Sequence, residues 1–164
     1  MRRLLAAAWL AAAAGCIYTT KSSLPERIRT VRLEPFENRT AYPGLDAELL
    51  DALARRFLED GRLRPAGSGA DAVLEGRITA VRRSVIQEDA YDDVVTGRVV
   101  IEAEISFHDL EGEVVMKREL VTSRDGVGLD GVFRLRRAQT EGEALAAAVD
   151  ALARNMVRRV LEDW

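Results

Sequence analysis

Residue types able to do chemistry are sparse in this chain. His108 is the one histidine and Cys16 the one cysteine among 164 residues. Catalysis by His108 would need a nucleophile within hydrogen-bond reach. Asp109 stands beside it, but no G-x-S-x-G or Walker phrase supplies the rest of a reacting set. The position therefore reads as an exposed strand-end histidine. Glu88, Asp89, Asp92 and Asp93 offer oxygen ligands without the spacing of a calcium loop. They read as a solvated hairpin tip. Gly126, Gly128 and Gly131 match the letters of a dinucleotide fingerprint. That motif requires a buried strand before it and a helix after it, and an Arg-rich stretch follows here. A single cysteine excludes an internal disulfide, and with one histidine it excludes Cys/His zinc sites.

Arginine is the abundant reactive type. Arg77, Arg82, Arg83 and Arg98 fall in strand-like segments, and Arg124, Arg134, Arg136 and Arg137 fall in a Gly-rich stretch. Guanidinium forks match phosphate and carboxylate. Arg134, Arg136 and Arg137 cluster with no acid before Glu141, so they are candidate contacts to an anionic ligand. The alternative is solvated surface charge. The formal net charge of -3 argues against a general nucleic-acid binder.

Cys16 has a context of its own. Arg2 and Arg3, the apolar run from Leu4 to Ala14, and the small residues Ala13, Ala14 and Gly15 have the three parts of a secretory signal. The run is too short to cross a bilayer. Small residues directly before a cysteine resemble a bacterial lipobox, with Ala13 where Leu is usual. That resemblance implies cleavage after residue 15 and a diacylglyceryl group on the Cys16 thiol. Removing 15 of 164 residues leaves 149, and losing two arginines takes the charge from -3 to -5. The expected organisation is a signal peptide over 1–15, a lipidated N-terminus and tether over 16–26, and a single domain over 27–164. The absence of Asp after Cys16 suggests sorting to the outer membrane. An ordinary secreted protein with an incidental cysteine is the alternative.

The elements that must position these residues follow from periodicity. Arg29 to Phe36 alternates as a strand. Leu45, Leu49, Leu53 and Phe57 make Asp46 to Asp60 an amphipathic helix, with Gly61 as its C-cap. Ala72 to Val85, Val94 to His108 and Glu113 to Thr122 read as a three-stranded meander. Ser123 to Arg137 reads as a loop. Thr140 with Glu143 makes a capping box, opening a helix from Glu141 to Glu162. The economical packing is a two-layer α+β sandwich. Its expected sheet is mostly antiparallel and four-stranded, with both helices on one face, in the order β-α-β-β-β-α.

The phrase from Ile28 to Thr40 contains Pro35-Phe36-Glu37-Asn38-Arg39-Thr40. Placed after a lipobox, it resembles the opening strand of the lipopolysaccharide-assembly lipoproteins, the LptE-type family. Arg56-Phe57-Leu58, the stretch Ala72 to Ile78 and the terminal Trp164 are similar to members of that family as well. The resemblance implies a non-enzymatic lipoprotein without a cofactor, on the periplasmic face of the outer membrane. Its partner would be a β-barrel that inserts lipopolysaccharide, and lipopolysaccharide itself is a possible ligand. The same phrase also resembles lipoproteins that activate cell-wall synthases, and the curli-secretion and TolB-like families. That second likeness implies a periplasm-facing regulator of a synthase or secretion complex.

Overall fold

The computed structural model describes residues 24–88, 94–110, 114–124, 132–134 and 140–162. Its elements run β1 (Thr30–Leu33), β2 (Glu37–Asn38), α1 (Leu45–Asp60), β3 (Arg64–Pro65), β4 (Ala72–Glu88), β5 (Val94–Asp109), β6 (Val114–Thr122), β7 (Val132–Arg134) and α2 (Glu141–Glu162). The α+β class is as expected. The sheet is not: among the described residues it has seven strands and is mixed, in the order β3-β1-β4-β5-β6, with β2 added on β4 and β7 on β5. β1 lies parallel to both β3 and β4. The reason is connectivity. Helix α1 carries the chain back to the end where β1 began, and a strand reached by such a crossover must run parallel.

The helices form where the apolar stripes place them. Leu45, Leu49, Ala52, Leu53 and Phe57 of α1 are buried. Gly44 and Gly61 flank this helix with φ of 83° and 78°, a left-handed conformation that a side chain resists, and the Gly61 N–H closes on the Phe57 carbonyl. At the start of α2 the Glu143 N–H donates to Thr140 Oγ1, and the Thr140 N–H donates back to Glu143 Oε2 at 2.8 Å. That is the capping box. Leu152, Met156, Val160 and Leu161 of α2 are fully buried, whereas Leu145 is only partly covered.

Both stripes join one core with alternate residues of the two long strands: Leu74 and Ile78 of β4, and Val99, Ile101, Ala103, Ile105 and Phe107 of β5. The intervening residues Glu75, Arg77, Glu104, Ser106 and His108 occupy the opposite, open face. Gly76 sits on the core face because nothing larger fits. A Cβ there would lie 2.7 Å from the buried Phe36 ring and closer still to the Glu104 carbonyl oxygen. Among the described residues no helix is long and apolar enough to cross a membrane.

Candidate functional site

Two surfaces could meet a ligand. The first is the open sheet face, where a shallow groove of about 490 Å³ is lined by Arg32, Glu34, Glu75, Arg77, Glu104, His108 and Arg118. Its charges are largely spent on one another. Arg77 pairs across the strands with Glu104 at 2.6 Å, and Arg32 with Glu34 at 2.7 Å. Arg118 is the exception in conformation. A bulge in β6 opposite Ser106 gives it a φ of 52°, and its N–H donates to Ser106 Oγ at 3.2 Å. A non-glycine residue there costs on the order of 1 kcal/mol. His108 lines this groove near the end of β5, and its neighbour Asp109 is buried against Arg27 at 2.5 Å. Among the described residues no hydroxyl or carboxylate is hydrogen-bonded to His108. Among the described residues no three His, Cys, Asp or Glu side chains cluster as metal ligands.

The second surface is the far half of the β4–β5 hairpin. The pairing of β7 with β5 sets Arg134 opposite Thr96 and Val132 opposite Arg98. On the other side of β5, Ser84 lies opposite Arg98 and Arg82 opposite Val100. Arg82, Arg83, Arg98 and Arg134 thus share one three-stranded ribbon. Two of them are engaged. Arg82 pairs with Glu102 at 2.6 Å, a contact that holds its guanidinium pKa above the ordinary value. Arg83 pairs with Glu141 at 3.1 Å and stacks over the Tyr42 ring. Arg98 Nε is buried with no hydrogen-bond partner among the described residues. Sequence periodicity placed Arg134 in a loop and Arg98 in a strand, so their proximity was hidden. The short strand β7 is what joins them. Arg136, Arg137 and Cys16 lie outside the described residues, as do Asp89, Asp92, Asp93, Trp164 and the glycine triplet.

The Pro35–Thr40 phrase proves to be scaffold. Phe36 is buried on Gly76. Asn38 Oδ1 accepts from the Thr40 N–H and hydroxyl, while its Nδ2 donates to the Tyr42 carbonyl at 2.7 Å. Such an Asx-type turn needs Asn and Thr two residues apart. It aims the chain into α1 and brings Tyr42 within 3.4 Å of Glu141. A second lock went unread in the sequence. Asp71 Oδ2 accepts the N–H groups of Arg29 and Thr30 and the Thr30 hydroxyl, which hold its carboxyl below the usual value.

The family model for lipopolysaccharide assembly, LptE, matches residues 28–163, the whole of the domain just described. The chain belongs to the LptE family. Among solved structures it is similar to the dodecameric PelC of Paraburkholderia phytofirmans, at 19% identity and a TM-score of 0.51, covering 87% of this chain and 96% of that one. A minor lipoprotein of Acinetobacter baumannii gives 14% identity and a TM-score of 0.51, covering 83% and 92%. At these identities the likeness is one of fold. No curated protein matches the chain. Membership of the LptE family makes this a protein of the lipopolysaccharide-assembly type.

Proposed function

We propose that the protein is a non-enzymatic outer-membrane lipoprotein that partners a β-barrel in assembling lipopolysaccharide at that membrane. The observation that carries this reading is the family match across residues 28–163. In it, residues 1–15 are a cleaved signal peptide, Cys16 carries the lipid, 16–26 tether, and 27–164 form the working domain on the periplasmic face. The surfaces agree with such a role. An open face of paired charges suits the polar lumen of a barrel. The arginine ribbon, to which Arg134 belongs, suits the phosphates of lipopolysaccharide, and we propose Arg136 and Arg137, two and three residues on in the sequence, as further contacts.

Affinity purification of the lipidated protein from outer membranes tests the reading. A co-purifying β-barrel protein is the expected result. Recovery of a cell-wall synthase or a secretion complex without a barrel would replace it with the regulatory alternative. A large ring built from this chain alone would point instead to self-assembly of the kind named for PelC.

A further inference from the structure

The domain has two ends of different character. At one end the described chain enters at Leu24, which packs on the core, and turns through Pro25 to Ile28. Arg27 reaches the buried Asp109, and the Leu110 N–H donates to the Asp71 carbonyl, so the entering chain, the start of β4 and the end of β5 meet there. Leu110 is 54% exposed at this end. The arginine ribbon lies at the other end. From Ala72 to Ser84 the strand β4 climbs roughly 40 Å at the usual rise per residue.

We infer that, before the β-barrel partner takes up the domain, its Leu24–Leu110 end rests on the phospholipid surface, with Leu110 at headgroup depth and the arginine ribbon held away from the bilayer. The inference rests on the proposed lipidation of Cys16. About eight residues separate Cys16 from Leu24, which span at most about 29 Å when stretched. That length is shorter than the distance up β4. The lipid therefore holds the entry end near the membrane, and an apolar side chain exposed there gains by entering the interface. Arg27 stands beside it with a 45% exposed side chain that can lie along the headgroups. The ribbon then receives its anionic ligand from the aqueous side, not from lipid packed in the same leaflet.

The test uses the lipidated full chain bound to phosphatidylethanolamine–phosphatidylglycerol vesicles. Cys16 is the only cysteine and its thiol carries the lipid, so a new cysteine takes a fluorophore uniquely. Leu110→Cys and Ile86→Cys are compared, both at exposed positions. Nitroxide lipids should quench the label at position 110 several-fold more than the label at 86. Equal quenching, or stronger quenching at 86, overturns the orientation while leaving the anchor intact. A wild-type chain that binds these vesicles no better than Cys16→Ser overturns the anchor, and the orientation with it.

Discussion

The β4–β5 hairpin is one continuous pair of strands whose two halves are held by different physics. In the near half, Leu74, Ile78, Ile101, Ala103, Ile105 and Phe107 are wholly buried beneath the helices. In the far half, Val85 and Ile86 are 52% and 49% exposed. The boundary is the Arg83–Glu141–Tyr42 cluster at the start of α2. Beyond it the strands keep their backbone ladder and gain β7, while the helical cover shrinks to the contact of α2 with β7. Three strands is about the minimum that stands independently in water, and then only with an apolar face to bury. Helix length, not strand propensity, therefore decides where the core stops and the arginine ribbon starts.

The largest expected effect lies in the near half. Phe107→Ala should cost about 3–5 kcal/mol, read as a lowered urea midpoint. A loss below about 1 kcal/mol would mean that the helices do not dominate that half. Gly76→Ala comes next, at about 1–3 kcal/mol from overpacking against Phe36 and the Glu104 carbonyl. Combining it with Phe36→Leu should be less costly than the two changes added, since the residues share one contact. Purely additive losses would show that Gly76 is constrained by something else.

Acid should act on the entry end. Asp71 is held below its ordinary value chiefly by the Arg29 N–H, then by the hydroxyl and N–H of Thr30. A carboxyl lowered on folding adds stability that is complete above its unfolded pKa of about 3.9 and is lost as pH falls through the lower folded value. Asp71→Asn should flatten the stability profile in that acid range. An unchanged profile would remove Asp71 from the account. The smallest effect on stability belongs to the arginines at and just after β7. Reversing Arg134, Arg136 and Arg137 to Glu should move the unfolding free energy by no more than about 0.5 kcal/mol per site, yet weaken lipopolysaccharide binding in vitro. Unchanged binding would return these arginines to ordinary surface charge.

Much of this difference was visible in the residue pattern, because it depends on long periods. The four-residue recurrence from Leu45 to Phe57 and the alternation from Val99 to Phe107 each repeat often enough to define a face. The two-residue strands β2 and β3 and the three-residue β7 contain no period at all. They exist because Asn38, Pro65 and Phe133 are brought beside longer strands. Direction was equally illegible. The alternation of Val31 and Leu33 is the same whether β1 runs with β4 or against it. The ribbon suffered most from this, since the adjacency of Arg134 to Thr96 and Arg98 depends on β7 alone. In the Pro35–Thr40 phrase the letters were recognisable, but their work, a turn and a ring on Gly76, needed coordinates.

The parallel β1 also has a consequence for biosynthesis. An exported chain crosses the inner membrane N-terminus first, and Val31 leaves roughly forty residues ahead of Ala72, its partner in the sheet. The meander of β4, β5 and β6 needs only neighbouring segments and can close as soon as it emerges. β1 and the turn after it must wait in an unpaired state while this happens. The first-made part of the domain is then the last to be locked. A periplasmic chaperone for this protein would find its binding window between the emergence of Phe36 and that of Gly76, the residue on which that ring finally rests.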